Sequence, residues 1–256
     1  MWNTILYQPL FNLLVILYNF LGHNMGIAII ALTLLIRFIL MPLTGKSLRA
    51  QKKMNEIKPH LEKIKKDHGH DQKLMAQKTM ELYQQHGINP ITSCLPLLIQ
   101  FPILIALYRV FYDLSKLTSS NMYSFVHRPE TINTHFLWLD LQKADPYYIL
   151  PILVGITFFW QTKISMPPQT KVEPKKAGEK RGMMEDFQGM FSKQMLYLFP
   201  IMFTFISLRL PTALSLYWVV TTLFGIGQQY LIMRGSSPIA ETGKSGKTQI
   251  SVKKRK

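Results

Sequence analysis

Long apolar stretches alternate along this chain with polar stretches that are rich in lysine. Five of the apolar stretches are candidates for membrane-spanning helices, and they cover residues 26–42, 90–112, 146–164, 195–208 and 213–233. A spanning helix needs about 20 predominantly apolar residues, and about 17 at the least. The first and fourth stretches are therefore marginal, and we expect the bilayer to be thin there or other helices to shield them. The pattern predicts an all-α polytopic membrane protein with five transmembrane helices.

The N-terminal stretch, residues 1–25, is apolar but differs from the five spans. Gln8, Asn12 and Asn19 recur at helical spacing and form one narrow polar face, and Pro9 lies near the start. Such a stretch can form a sixth span or a helix that lies in the membrane interface. We predict the interfacial amphipathic helix, on the outer side of the membrane.

The polar stretch between the first two spans, residues 43–89, carries an apolar pattern of its own. Ile57, Leu61 and Ile64 follow one another at positions i, i+4 and i+7, which marks one face of a helix. Gly87 stands where a glycine commonly ends a helix. The pattern favours a cytoplasmic helical hairpin over a solvated charged loop.

The basic residues predict the orientation of the chain. The sequence has 30 Lys and Arg against 14 Asp and Glu, a formal charge of +16. Most of these basic residues fall in segments 43–89, 165–194 and 234–256, whereas the segment 113–145 has few. Lysine and arginine accumulate in the cytoplasmic loops of membrane proteins. We therefore expect these three segments in the cytoplasm, with the N-terminus outside and 113–145 as an extracytoplasmic loop.

The sequence shows no pattern of catalytic or metal-binding residues. Cys94 is the single cysteine, so no intramolecular disulfide can form, and no Cys/His spacing suits a metal ion. Motifs of hydrolases, metalloproteases and P-loop proteins are missing. We expect a protein that is not an enzyme and that needs neither a metal nor a cofactor.

Arg37 is the main candidate for a functional residue. At about 1.5 Å per residue it lies roughly 16 Å from the start of the first span and roughly 8 Å from its end. A guanidinium in the hydrocarbon costs about 2.5–3.5 kcal/mol on insertion scales, and no Asp or Glu lies in the core of a span. We expect it to face water, Thr33, Ser93, Gln100 and Tyr217. The alternative is that Arg37 snorkels toward the cytoplasmic headgroups.

The second span carries two further polar residues. Gln100 lies at its middle between Pro96 and Pro102, and Arg109 lies near its outer end. A lone glutamine in a span often joins two helices, but together with Arg37 it becomes a candidate for a hydrated surface. We expect Arg109 to snorkel to the outer interface.

Five strings, in this order and at these separations, resemble the YidC family of membrane protein insertases: QPLFNLL, IRFILMPLT, ITSCLPLLIQFPILIALY, DPYYILPIL and ALSLYWVVTTLFGIGQQYLI. The resemblance covers about residues 5–235 and lacks the large extracytoplasmic domain of some members. It implies a five-helix core in a bacterial plasma (inner) membrane, with a groove that is open to cytoplasm and lipid and closed outside. It also places Arg37, Thr33, Gln100, Tyr217 and Trp218 along the groove or the substrate path.

The same resemblance implies partners. These are nascent membrane proteins, the ribosome, the Sec translocon and anionic lipid, although the sequence does not decide whether the chain acts beside Sec or alone. We expect the ribosome or the lipid to contact the hairpin and the basic end of the tail, which is formed by Lys253, Lys254, Arg255 and Lys256.

Two other classes of function also fit parts of the sequence. A small anion channel or transporter could use Arg37 for selectivity, although no internal repeat is visible. A scaffold could bind RNA through the basic tail, but no aromatic residue for base stacking follows Tyr230.

Overall fold

The structure is a computed structural model that describes residues 2–69, 71–113, 122–165 and 183–234. It is mostly helical. A π-helical segment, Asn3–Tyr7, continues directly into the first of the α-helices, which are α1 (Gln8–Phe20), α2 (Met25–Glu56), α3 (Lys58–His68), α4 (Gln72–Gln85), α5 (Pro90–Asp113), α6 (Ile149–Ser165), α7 (Met183–Ser207) and α8 (Thr212–Arg234). Two short strands, β1 (His135–Phe136) and β2 (Leu139–Asp140), pair antiparallel.

Helix α2 begins at a well-defined cap and is much longer than the predicted span. The side chain of Asn24 accepts a hydrogen bond from the Ile27 N–H at 3.1 Å, which satisfies one of the free donors at the helix start. The predicted span ended at Pro42, but α2 continues through this proline to Glu56. Ile57 separates it from α3, which carries Pro59 in its first turn, where a proline is well tolerated.

Polar side chains from two helices bind the backbone near Pro42. Proline has no N–H to donate, so the carbonyl of Phe38, four residues earlier, has no helical partner at position 42. The Thr44 hydroxyl donates to the Leu40 carbonyl at 3.1 Å, and the Gln228 amide donates to the Met41 carbonyl at 3.0 Å. The segment after the predicted first span thus begins as a continuation of α2 that is bound to α8 beside the proline.

Helices α3 and α4 pack against each other and form a hairpin with a small core of its own. Asp71 caps α4 by accepting from two backbone N–H groups at 3.0 Å each. The buried residues of this core are Ile57, Leu82 and Ile88, and Leu61 and Ile64 pack against them. This cluster is separate from the main core of the protein, so the hairpin does not depend on the bundle for its packing.

Helix α8 lies at the centre of the main bundle. Helices α2 and α6 pack along it, α5 touches it, and α7 packs mainly against α6. The half of α8 that begins at Thr212 is buried on nearly every side, and it includes Leu214, Tyr217 and Trp218. A helix that is apolar all round is typical of such a central position.

The segment 122–148 covers the end of the bundle where α8 begins. Val126, Leu139 and Leu141 are buried in the main core, and the Ala213 N–H donates to the Leu141 carbonyl at 3.0 Å. The ring of Phe136 lies so close to Gly26 that a Cβ there would overlap it. This segment therefore closes the extracytoplasmic end of the bundle in the predicted orientation.

The start of α6 differs from the sequence prediction by a few residues. Asp145, just before the predicted start of this span, is buried and accepts from the N–H groups of Tyr147 at 3.0 Å and Leu150 at 2.8 Å. The helix itself begins at Ile149, because Tyr148 has a φ of 59°, in the left-handed region that a helix cannot include.

The polar face of α1 contacts protein rather than water. The Asn12 carbonyl oxygen accepts from the Tyr123 N–H at 2.8 Å, and the Asn19 amide donates to the His127 carbonyl at 2.7 Å. Phe11, Leu14 and Val15 of the same helix are buried in the main core. Helix α1 is thus held between the helices and the segment 122–148.

Within the described part of the chain, α2 alone is long and apolar enough to cross a membrane by itself. Three shorter apolar helical stretches accompany it: Leu98–Tyr112, Ile149–Ser165 and Leu196–Ser207. The tail residues Lys253, Lys254, Arg255 and Lys256 lie outside the described residues.

Candidate functional site

Arg37 lies on α2 and is partly buried. The Tyr217 hydroxyl of α8 lies within electrostatic range of this guanidinium. Among the described residues no carboxylate is within ion-pair distance of Arg37. A buried guanidinium without a counter-ion is stable only where polar groups or water solvate it, so this position favours a hydrated environment.

Gln100 and Tyr217 join the same site from two other helices. The amide of Gln100 on α5 donates to the Tyr217 hydroxyl at 2.5 Å. Tyr217 is almost completely buried, so its hydroxyl needs such a partner. The structure therefore brings Arg37, Gln100 and Tyr217 together at the junction of α2, α5 and α8, and we call these three residues the polar cluster.

Two further residues predicted for the site lie in packed surroundings. Thr33 is buried, and its hydroxyl donates to the Ile29 carbonyl of its own helix at 2.6 Å. Trp218 is also buried and packs edge-on against Phe203, with ring centroids 5.2 Å apart. Thr33 is one helical turn before Arg37, and Trp218 is the residue after Tyr217. The hydrogen bond of Thr33 and the ring contact of Trp218 are with neighbouring helix atoms rather than with the polar cluster. The side chain of Ser93 is outside the described residues.

Sequence reasoning missed a set of polar contacts that hold α8 in place. Gln228 binds α2, because its amide contacts the Met41 carbonyl and the Thr44 hydroxyl, each at 3.0 Å. Gln229 binds Ser165 on α6 at 3.1 Å. Adjacent glutamines in an apolar helix are a signal for contacts between helices, and here they point to two different neighbours.

Thr157 and Thr222 form a further link between α6 and α8. The Thr222 hydroxyl donates to the Thr157 hydroxyl at 2.9 Å in a buried position, and the Thr157 hydroxyl donates in turn to the Leu153 carbonyl of its own helix. Threonines satisfy their hydroxyls within a helix easily, so this pair does not stand out in the sequence.

The C-terminal ends of α2 and α8 are joined as well. The ammonium group of Lys52 donates to the Met233 carbonyl in the last turn of α8 at 3.2 Å. A cation near the C-terminus of a helix satisfies free carbonyls and interacts favourably with the helix dipole. The end of α8, which the basic tail follows in sequence, is therefore fixed to the last part of α2.

The outer faces of the bundle are strongly apolar. Leu98 and Phe101 on α5 are 60% and 55% exposed, and Phe205 on α7 is 65% exposed. Exposed apolar area of this extent is unusual on a protein surrounded by water. It suits contact with lipid chains or with another apolar helix.

The part of the chain that the structure describes contains no group of three His, Cys, Asp or Glu residues that could hold a metal ion. The polar cluster likewise has no carboxylate, thiol or imidazole. It can solvate a charge and donate hydrogen bonds, but it has no general base or nucleophile at neutral pH.

Comparison with known proteins identifies the family. Residues 16–239 match the family described as 60Kd inner membrane protein. The chain is 38% identical to membrane protein insertase YidC 2 of Bacillus anthracis, over 96% of this chain and 86% of the relative. It is also 38% identical to membrane protein insertase MisCA of Bacillus subtilis (strain 168), over 90% of this chain and 78% of the relative.

A solved structure shows the same fold. The crystal structure of an active YidC insertase with its first transmembrane domain resolved matches with a TM-score of 0.56 at 24% identity. The match covers 88% of this chain, and this chain spans 46% of that longer one. These relatives are insertases, so they do not favour a small anion channel or transporter. Insertases are not enzymes, as we expected of this chain from its sequence. The chain belongs to the YidC family of membrane protein insertases, a family of the bacterial inner membrane.

Proposed function

We propose that this chain inserts nascent membrane proteins into the bilayer and helps them to fold, through a hydrated groove in which the polar cluster binds the polar flank of the substrate. The observation that carries this proposal is the place of Arg37. Among the described residues this guanidinium has no carboxylate partner and lies within electrostatic range of Tyr217, which bonds Gln100, in a bundle whose end at the start of α8 is covered by the segment 122–148.

The mechanism follows from the energetics of moving a polar segment into a membrane. Desolvating a polar or charged flank costs several kcal/mol, roughly 2–7 for an unpaired amide or hydroxyl. A fixed positive charge and two hydrogen-bonding side chains lower this cost by solvating the flank partway across. The apolar part of the substrate then leaves sideways into lipid, which contributes about 25 cal/mol per Å² of apolar surface removed from water. No nucleotide is required.

We place five helices across the membrane: α2, α5, α6, α7 and α8. Basic residues are concentrated in segments 43–89, 165–194 and 234–256, which puts these three in the cytoplasm, the N-terminus outside and α1 in the outer interface. Helix α6 has 17 residues, about 25 Å at 1.5 Å per residue. This is shorter than a hydrocarbon core of about 30 Å, so the bilayer beside the groove is thinned.

Thr33 and Trp218 belong to this site as supporting residues in the proposal. Each packs next to a member of the polar cluster and fixes its helix there. The ribosome docks through the hairpin and through Lys253, Lys254, Arg255 and Lys256, and the tail also meets anionic lipid. The Sec translocon is a further partner for substrates with large extracytoplasmic regions.

Reconstitution tests the proposed function. The purified full-length chain in liposomes is expected to insert a short single-span substrate during translation, measured as protease-protected substrate. Empty liposomes, and liposomes with an unrelated polytopic protein, are the controls. The same proteoliposomes are expected to conduct no ions, because the extracytoplasmic end is closed. Insertion no better than in the controls, or a steady anion flux without substrate, would contradict the proposal.

A further inference from the structure

A crevice of about 550 Å³ opens on the lipid-facing side of α5, and the function proposed above does not use it. It is lined by Trp2 and Asn3 from the N-terminal segment and by Ile105 and Arg109 from α5. It lies far along α5 from Gln100, because Arg109 is nine residues, or roughly 14 Å, closer to the end of the helix. The polar cluster and this crevice are therefore separate places.

Arg109 is the cation of this crevice, and its side chain is exposed. No ion pair with Arg109 is present among the side chains that the structure describes, a set that does not include Asp113. Ile105, one turn away in the same crevice, is 49% exposed. The guanidinium thus lies next to exposed apolar surface. An anion that binds there needs an apolar part that can contact this surface.

The aromatic residues around Arg109 indicate its depth in the bilayer. Tyr108 and Tyr112 are 43% and 56% exposed, and their rings stack with centroids 6.4 Å apart. Trp2 lines the crevice from the other side. Trp and Tyr concentrate at the level of the lipid headgroups, so Arg109 lies where phosphate groups are dense.

We propose that this crevice binds the headgroup of an anionic phospholipid in the outer leaflet. Arg109 pairs with the phosphate, because its planar guanidinium matches two phosphate oxygens. The amide of Asn3 and the indole N–H of Trp2 supply further donors, and Ile105 contacts the acyl chain. The bound lipid bridges the N-terminal segment to α5. The choice of the outer leaflet rests on the orientation proposed above, whereas the site itself rests only on the residues that line the crevice.

The test uses the purified full-length protein in zwitterionic detergent. Native mass spectrometry counts the lipid molecules retained after titration with phosphatidylglycerol or with phosphatidylcholine, which has the same phosphate but no net charge. The wild type is expected to retain phosphatidylglycerol preferentially. Arg109→Gln is expected to lower this retention about fivefold, the effect of one basic residue near an anionic lipid. Equal retention of the two lipids by the wild type overturns the proposal.

Arg209→Gln is the matched control, because it removes the same charge from the exposed turn between α7 and α8. It is expected to retain phosphatidylglycerol like the wild type, and an equal loss in both variants would mean a general effect of net charge. Ile105→Trp keeps every charge but fills the crevice, and it is expected to lower retention. An unchanged value for Ile105→Trp or for Arg109→Gln contradicts the site.

Two further measurements distinguish the lipid from other anions, namely the carboxylate of Asp113 and free inorganic phosphate. Asp113 follows Arg109 by one helical turn, so Asp113→Asn removes a competing negative charge and is expected to leave retention unchanged or raise it; a loss would contradict the role of Arg109. Inorganic phosphate at millimolar concentration is expected not to displace the lipid. Complete displacement would identify a free-anion site instead. None of these measurements depends on insertion, so their failure leaves the proposed function untouched.

Discussion

The side chain of Arg37 determines the charge of the candidate site. Keeping a guanidinium within a span costs free energy. Among the described residues Arg37 has no carboxylate partner, and the Tyr217 hydroxyl, which accepts a hydrogen bond from Gln100, lies within electrostatic range of it. An ion pair would cancel the charge, whereas hydroxyl and amide groups leave it available. The positive charge itself is therefore the property that we expect the site to need.

The first prediction concerns this charge. Arg37→Lys is expected to keep most insertion activity, because lysine has a similar reach and the same charge. Arg37→Ala and Arg37→Glu are expected to lose it, and Glu most strongly for substrates with acidic flanks. The measurement is insertion of matched substrates with acidic, neutral and basic flanks, at equal membrane abundance of each variant. Full activity of Arg37→Ala on every flank would mean that Arg37 only snorkels.

Gly26 carries the second prediction, about stability. A methyl group at this position meets the ring of Phe136, so Gly26→Ala must displace the segment that closes the bundle. We expect a loss of about 1–3 kcal/mol from overpacking, or an apparent Tm lower by about 2–4 °C for each kcal/mol. Thermal unfolding of the purified protein measures this.

Gly227→Ala is the matched control for Gly26→Ala. This glycine also lies inside a helix, but no atom is within 4 Å of its added Cβ. Alanine there is expected to stabilise α8 by roughly 0.5–1 kcal/mol, because glycine is the poorer helix former. If both variants shift the Tm in the same direction, Phe136 is not held against Gly26.

The sequence shows which positions are polar, but it does not show which neighbouring helix each of these side chains contacts. Arg37 and Gln100 are conspicuous because polar side chains are rare in spans, and the structure places both at one junction. Thr33 and Trp218 were expected beside them, yet Thr33 bonds its own helix and Trp218 packs on Phe203. Helix α8 is apolar on all sides, so its sequence has no periodicity that tells which face meets which neighbour.

At the scale of the elements, the boundaries depended on contacts that sequence patterns do not show. Proline commonly ends a helix, but α2 continues past Pro42, and beside it Gln228 of α8 binds the Met41 carbonyl from 187 positions away in sequence. The hairpin is different. Its apolar stripe is local, and Ile57, Leu61 and Ile64 do meet in one cluster.

The third prediction follows from this separate core. Replacing residues 57–88 by a flexible Gly/Ser linker is expected to leave membrane accumulation and the Tm of the bundle unchanged, because no residue of the main core is removed. Insertion is expected to fall, because we propose that the ribosome carrying the nascent substrate docks partly through the hairpin. Immunoblots of membranes, thermal unfolding and the insertion assay measure the three quantities.

Leu82→Ala serves as the milder companion of that replacement. Leu82 is buried in the hairpin cluster, and its truncation costs about 2–5 kcal/mol locally, enough to loosen α3 and α4 without shortening the chain. The variant is expected to resemble the linker variant in insertion and the wild type in accumulation. Failure of either variant to accumulate in the membrane would make the hairpin a structural element.

At the scale of the whole molecule, α8 connects the parts. It contacts α5 through Tyr217, α6 through Thr222 and Gln229, and α2 through Gln228. Its C-terminal end is held by Lys52, so in sequence the basic tail follows α8 beside the part of α2 that leads to the hairpin. The two regions that we propose for ribosome binding therefore both continue from this joined end of α2 and α8.

The last prediction tests the tail as a docking element for the ribosome. A cluster of four basic residues suits phosphate contacts, and each contact with single-stranded RNA contributes about 0.7 to the slope of log K against log salt. Replacing Lys253, Lys254, Arg255 and Lys256 by Gln keeps the length of the chain and is expected to reduce that slope by about 3. Co-sedimentation with ribosomes in neutral detergent, at several salt concentrations, measures it. Deleting residues 244–256 is expected to weaken binding further, because Lys244 and Lys247 go as well. If the Gln variant binds ribosomes like the wild type at every salt concentration, the tail only sets the orientation of α8 or attracts anionic lipid.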